Sequence, residues 1–221
     1  MHSLARTTLA TAALALTATV AHADVVKLNS FAFGPAETIS VTSPGYTGQA
    51  GEFSGTLNGN SFVTYCTDLL QNFTFGTTYT NYSMVSGVSA WGTSKSQEMD
   101  RLMSALMANG IPQTAAGSAL AQALIWEVIY ETGNNYNLSS GSFRATADGR
   151  AMQSAMNGLN WNTIDSTPIA YHVDKLYSST NQDFLVVSRV AAAVPEPSSI
   201  ALVAAAMAGL VFVARRKSRR A

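Results

Sequence analysis

Cysteine occurs once in the 221 residues, at Cys66, so no intramolecular disulfide can form. Histidine occurs three times, and His2 and His22 lie within the first 23 residues. One cysteine and the remaining histidine, His172, cannot build a zinc site of the usual Cys/His types. The chain also lacks a Gly-rich phosphate loop, a His-Glu-x-x-His helix and a Gly-x-Ser-x-Gly elbow. These gaps point away from an enzyme, assign no catalytic residue and call for no metal or other cofactor. A Ser/His/Asp triad stays open only with His172 as its base.

Both ends read as addresses. Arg6 gives residues 1–23 a positive start, Leu9 to Val20 is a short uncharged apolar run, and Ala21-His22-Ala23 follows. That order is a secretory signal peptide, whose peptidase admits only short side chains at the two small positions. Cleavage after Ala23 leaves Asp24 as the mature N-terminus. At the other end, Val194-Pro195-Glu196-Pro197 precedes seventeen uncharged residues, Ser198 to Ala214. Arg215-Arg216-Lys217-Ser218-Arg219-Arg220 then follows. Seventeen residues at about 1.5 Å rise each are at the short end of a bilayer span. The basic cluster resists translocation, so Arg215, Arg216 and Lys217 are expected to stay cytoplasmic while the body lies outside.

The order of Pro-Glu-Pro, short span and arginine cluster resembles the PEP-CTERM sorting signal of Gram-negative bacteria over residues 194–220. That resemblance implies a transient inner-membrane anchor and cleavage near the Pro-Glu-Pro by an exosortase. It also implies a cell-surface or extracellular destination, among proteins associated with polysaccharide and biofilm. The division expected is therefore a leader at 1–23, a body at 24–193 and a sorting segment at 194–221.

With the ends removed and the cut placed after Glu196, seven basic residues face thirteen acidic ones, a net charge of −6. An acidic body without clustered Lys and Arg has no electrostatic footprint for nucleic acid. Its lone thiol is conspicuous, because an oxidising exterior favours cross-linking of free cysteine.

The body predicts an α+β fold: an antiparallel sheet or sandwich with a helical insertion between early and late strands. Phe53 to Leu57 and Ser61 to Thr67 flank Asn58-Gly59, a pair suited to a type I′ hairpin turn. Alternation puts Phe62, Thr64 and Cys66 on one face and Val63, Tyr65 and Thr67 on the other. Phe73 to Tyr82 reads as a further strand. Ser94 or Ser96 is expected to cap a helix that ends at Asn109-Gly110-Ile111-Pro112. A second helix is expected from Ala115 to Glu131, with Leu120, Leu124, Ile125 and Val128 as one stripe and Gln122, Trp126 and Tyr130 as another. A third is expected over Phe143 to Met156, then strands at Ile169 to Leu176 and Phe184 to Val190.

Two segments stand out together, Tyr65-Cys66-Thr67-Asp68-Leu69 and Ala121-Gln122-Ala123-Leu124-Ile125-Trp126. They resemble the paired motifs of bacterial thioester domains, an aromatic-Cys strand and a Gln-x-x-Ile-Trp helix, and the likeness extends loosely over residues 45–190. It implies an internal thioester joining Cys66 to the side-chain carbonyl of Gln122, walled from water by Tyr65 and Trp126. A thiol held against a carboxamide can displace ammonia, and the product is an acyl donor for an incoming amine. The protein would then be a single-use covalent adhesin for an amine-bearing surface ligand. The alternative is a non-covalent structural or polysaccharide-associated matrix protein, in which Cys66 is a buried core residue. Asp68 and Glu127 are expected as solvated charges.

Overall fold

In a computed structural model, residues 23–133, 136–158 and 160–191 are described. The predicted leader up to His22, the Pro-Glu-Pro run and the uncharged tail lie outside them. No described helix is long and apolar enough to cross a membrane.

The chain runs through β1 (Asp24–Phe31), β2 (Glu37–Ser43), β3 (Tyr46–Ala50), β4 (Phe53–Leu57), β5 (Asn60–Thr64) and β6 (Thr78–Val85). Two long helices follow, α1 (Gly87–Ala108) and α2 (Ala115–Tyr130). The remainder is β7 (Arg144–Ala147), α3 (Arg150–Asn157), α4 (Trp161–Asp165), β8 (Tyr171–Tyr177) and β9 (Phe184–Arg189). This is α+β with antiparallel pairing throughout, and its helices fall between early and late strands as the sequence predicts.

The strands form a six-stranded sheet in the order β5-β4-β1-β6-β8-β9 and a three-stranded sheet, β3-β2-β7. The hairpin at Asn58-Gly59 is present: Leu57 pairs with Asn60, and both turn residues have positive φ, 52° and 82°. Those values define the primed turn whose twist suits a two-residue hairpin, and glycine takes the second at no steric cost.

The outer strands of the large sheet meet beyond Thr64. Cys66 bridges Phe184, Leu185 N donates to Tyr65 O at 3.0 Å, and Thr67 N donates to Asp183 O at 3.0 Å. The Thr64 hydroxyl adds a bond to Leu185 O at 2.6 Å. Inside this closure Phe184 touches Phe53, Phe73 and Tyr82, with ring centroids 5.3 to 6.3 Å apart.

Helix α2 is buried on nearly every side, including Ala123, Leu124, Ile125 and Val128 at 0% exposure. A helix apolar all round belongs in the middle of a fold, and α2 lies between α1 and the small sheet. Thr114 caps it, its hydroxyl accepting from Gly117 N at 3.0 Å. Beyond its C-terminus the Glu131 carboxylate accepts from the main-chain N–H of Thr132, Gly133, Ser142 and Phe143, fastening the loop that follows.

Three local expectations are corrected. Residues 71–77 are irregular and the strand begins at Thr78, because Phe73 and Phe75 pack edge-on against Phe53 instead of alternating. Helix α1 starts at Gly87, with Ser86 as its cap, and is broken at Gly92, where φ is +80°. The predicted helix from Phe143 divides into β7 and α3, since β7 completes the small sheet against β2; pairing there overrides local propensity. Helix α4 has no counterpart in the sequence reading.

Candidate functional site

Cys66 and Gln122 come from distant parts of the chain and meet in the core, at 8% and 1% exposure. Beyond Thr64 the strand neighbour β4 has turned away, since the last pair on that side is Phe53 with Thr64. The main-chain groups of Cys66 are therefore left without a strand partner there. Gln122 supplies one from α2: its Oε1 accepts from Cys66 N at 2.9 Å, and its Nε2 donates to Cys66 O at 2.8 Å. A buried carboxamide thus stands in for a missing strand.

The same two bonds have chemical meaning. The N–H aimed at Oε1 draws density from the carbonyl and is placed to stabilise negative charge on that oxygen. The bond from Nε2 fixes the amide nitrogen in place. Burial and the nearby Asp68 carboxylate push the Cys66 thiol well above its usual range, so it is held as the neutral thiol.

Cys66 lines a cavity of about 230 Å³ shared with Tyr46, Asp68, Gln71, Phe73 and Trp126. Trp126 thus lines one cavity with Cys66. Its indole meets Tyr46 edge-on with centroids 5.4 Å apart. Tyr46 belongs to the β3 edge of the small sheet and folds over Gly48, where any Cβ would run into the phenol. Sequence reasoning missed Tyr46, because no local pattern links the β2–β3 hairpin to the cysteine.

Tyr65 is placed differently. It is 1% exposed but lines another cavity, beside Glu52, as the two-residue period of an extended chain demands for a neighbour of Cys66. The Tyr65 phenol and the Glu52 carboxyl are close enough for each to perturb the other, although they miss strict hydrogen-bond geometry. Burial raises Glu52 to about 7.

The loop after Cys66 is tied down by charge and main chain. Asp68 accepts from Gln71 N at 2.9 Å and from Asp183 N at 2.8 Å. Asp183 in turn pairs with Lys175 at 2.6 Å, and Tyr130 OH accepts from Leu69 N at 3.1 Å. The stripe of Gln122, Trp126 and Tyr130 therefore faces one target, the segment from Cys66 to Leu69 and its cavity. Asp68 is half-buried and Glu127 fully buried, so neither is the solvated charge expected. Glu127 accepts from Asn137 N at 2.6 Å, and burial raises it to about 7.

Two of the six buried side-chain polar atoms without a partner among the described residues, Gln71 Oε1 and Trp126 Nε1, belong to residues that line the Cys66 cavity. Such groups cost free energy.

The other candidate differs. His172 Nδ1 sits 2.9 Å from Asp100 Oδ2, and the imidazole is largely exposed. Ser104 Oγ bonds to Asp100 O and to the N–H of Ala170 and Tyr171, and no serine hydroxyl is hydrogen-bonded to the ring among the described residues. A cavity of about 640 Å³ between the helices is lined by Leu106, Ile111, Leu120 and Ile164 and carries no titratable side chain. No cluster of metal-ligating side chains occurs among the described residues.

Residues 193–218 match the PEP-CTERM protein-sorting motif. The motif fits an exported chain that is held transiently in a membrane and processed by an exosortase. No curated protein and no solved structure matches the chain. The likeness of the body to bacterial thioester domains thus finds no support in these comparisons and rests on the residues alone.

Proposed function

We propose that the exported body is a covalent surface adhesin whose reactive bond is a thioester between Cys66 Sγ and the side-chain carbonyl carbon of Gln122. The observation that carries this reading is the reciprocal pair of hydrogen bonds holding the Gln122 carboxamide against the main chain of Cys66. In the bond-forming step Sγ adds to the Gln122 carbonyl carbon, the C–N bond breaks, and the thiol proton leaves with nitrogen as ammonia. The resulting acyl donor is consumed once by an amine-bearing surface ligand, which makes the protein a reagent and not a catalyst. Trp126 and Tyr46 supply the wall that slows hydrolysis.

The intact mass of the exported, processed protein tests the reading. A mass short by one ammonia, with methylamine incorporated on treatment and neither effect in Cys66→Ala, is the expected result. Full mass with a titratable thiol in the unfolded protein sinks it.

A second reading keeps the fold without the bond: a structural or polysaccharide-associated matrix protein in which Gln122 is only a strut. The satisfied geometry of the Gln122 amide favours it, since that amide needs no chemistry to be stable. Unchanged surface attachment in Cys66→Ala supports this version.

A further inference from the structure

We infer that Asp68 is the specificity-determining residue of the Cys66 cavity, selecting a protonated alkylamine over an uncharged nucleophile. The inference rests on the thioester reading and adds to it a residue and a charge.

The negative charge around the cysteine is not balanced. Asp183 spends its Oδ2 on Lys175 at 2.6 Å and its Oδ1 on Ser178 N at 2.7 Å. Asp68 accepts only two main-chain N–H groups, one on each oxygen, and pairs directly with no cationic side chain; Lys175, near enough to attract it, is bound to Asp183. A carboxylate has about four lone-pair sites, so two acceptor positions stay open. One excess negative charge therefore sits in the wall of the cavity that holds the thiol.

The rest of the wall suits a cation as well. Gln71 Oε1 is a buried carbonyl oxygen with no donor, and its side chain lines the same space. Tyr46, Phe73 and Trp126 present aromatic surface, which attracts an ammonium group at short range. A carboxylate, an unpartnered acceptor and aromatic walls all reward a group that carries protons and positive charge. A sugar hydroxyl satisfies the acceptor but gains nothing from the charge.

Asp68 also fits the proton balance. An ammonium group must lose a proton before nitrogen can attack, and the Asp68 carboxylate takes it. The amine then bonds to the Gln122 carbonyl carbon, and the C–S bond breaks. The second amine proton passes to the departing sulfur, leaving an amide, a Cys66 thiol and a protonated Asp68. Burial lifts Asp68 above the ordinary carboxylate range, which makes it a better acceptor for that proton.

The test uses the exported, processed protein at neutral pH with two nucleophiles, methylamine as the cation and hydroxylamine as the neutral one. The rate of thiol release is followed for each. Asp68→Asn is expected to lower the ratio of methylamine to hydroxylamine rates by about tenfold, the effect of roughly one pKa unit's worth of interaction. In the unmodified protein, added salt is expected to slow methylamine and leave hydroxylamine unchanged. The salt comparison decides the matter alone if Asp68→Asn does not fold. A ratio unchanged in Asp68→Asn, or equal salt dependence for the two nucleophiles, overturns the assignment of Asp68 while leaving the thioester standing. A protein at full mass before any nucleophile is added overturns the thioester and this inference together.

Discussion

Gln122 holds Cys66 by both of its main-chain polar groups, from a helix that begins about fifty residues further along the chain. The pairing has the form of a strand contact, made by a side chain at the point where the neighbouring strand β4 has ended.

Removing that side chain leaves two buried main-chain groups unpaired. Gln122→Ala is therefore expected to lower stability by about 2–4 kcal/mol. Cys66→Ala, which keeps both bonds, is expected to cost only about 1 kcal/mol. Urea denaturation of the two variants checks the order. Gln122→Glu has no amide nitrogen to expel, so its mass should show no loss of ammonia whatever its stability.

Much of this site was legible in the sequence, and the reasons are local. Asn58-Gly59 specifies the turn that brings the strand to Cys66, and the four-residue spacing of Gln122, Trp126 and Tyr130 puts them on one face of α2. What was not legible depends on contacts between distant segments. Tyr46 reaches the cavity only because the small sheet packs on α2, and Arg144–Ala147 is a strand only because β2 is there to pair with it. Glu127 reads as a surface residue by type, yet it lies fully buried and accepts from Asn137 N in the loop after α2.

Trp126 offers a less intuitive expectation. Its indole nitrogen is buried with no acceptor, so deleting the N–H removes a penalty along with some surface. Trp126→Phe is expected to be neutral or slightly stabilising, within about 1 kcal/mol, whereas Trp126→Ala should cost about 3–5 kcal/mol. Thermal unfolding of the pair distinguishes loss of the wall from loss of the N–H.

Glu52 and Glu127 both sit at about 7 in the folded protein, raised chiefly by burial above the ordinary glutamate range. A carboxyl raised by folding binds its proton more tightly in the native state. Its contribution is full below the unfolded value and is lost as pH rises through the folded one. Stability should therefore fall between about pH 4.5 and pH 7 and level off above, by on the order of 1–3 kcal/mol per group. Glu127→Gln should flatten that slope, which urea midpoints on either side of the range will show.

Lys175 and Asp183 form a largely buried pair next to the cysteine loop, with the lysine side chain 20% and the aspartate 5% exposed. Lys175→Met strands the Asp183 charge and should cost about 3–5 kcal/mol. Because the Asp183 main chain also holds Thr67 and Asp68, faster hydrogen exchange at Thr67 should accompany the loss. Exchange unchanged there would mean that the pair acts on β8 and β9 alone.

The Cys66–Phe184 bridge also imposes an order of events. A chain exported from its N-terminus presents the cysteine early and the strand that seals it last. Until β9 arrives, the residues on either side of the cysteine lack their main-chain partners, Asp183 for Thr67 and Leu185 for Tyr65. For a chain threaded out N-terminus first, as the predicted leader implies, the site is complete only when β9 has followed, and a chain that lacks β9 leaves Cys66 without its bridge.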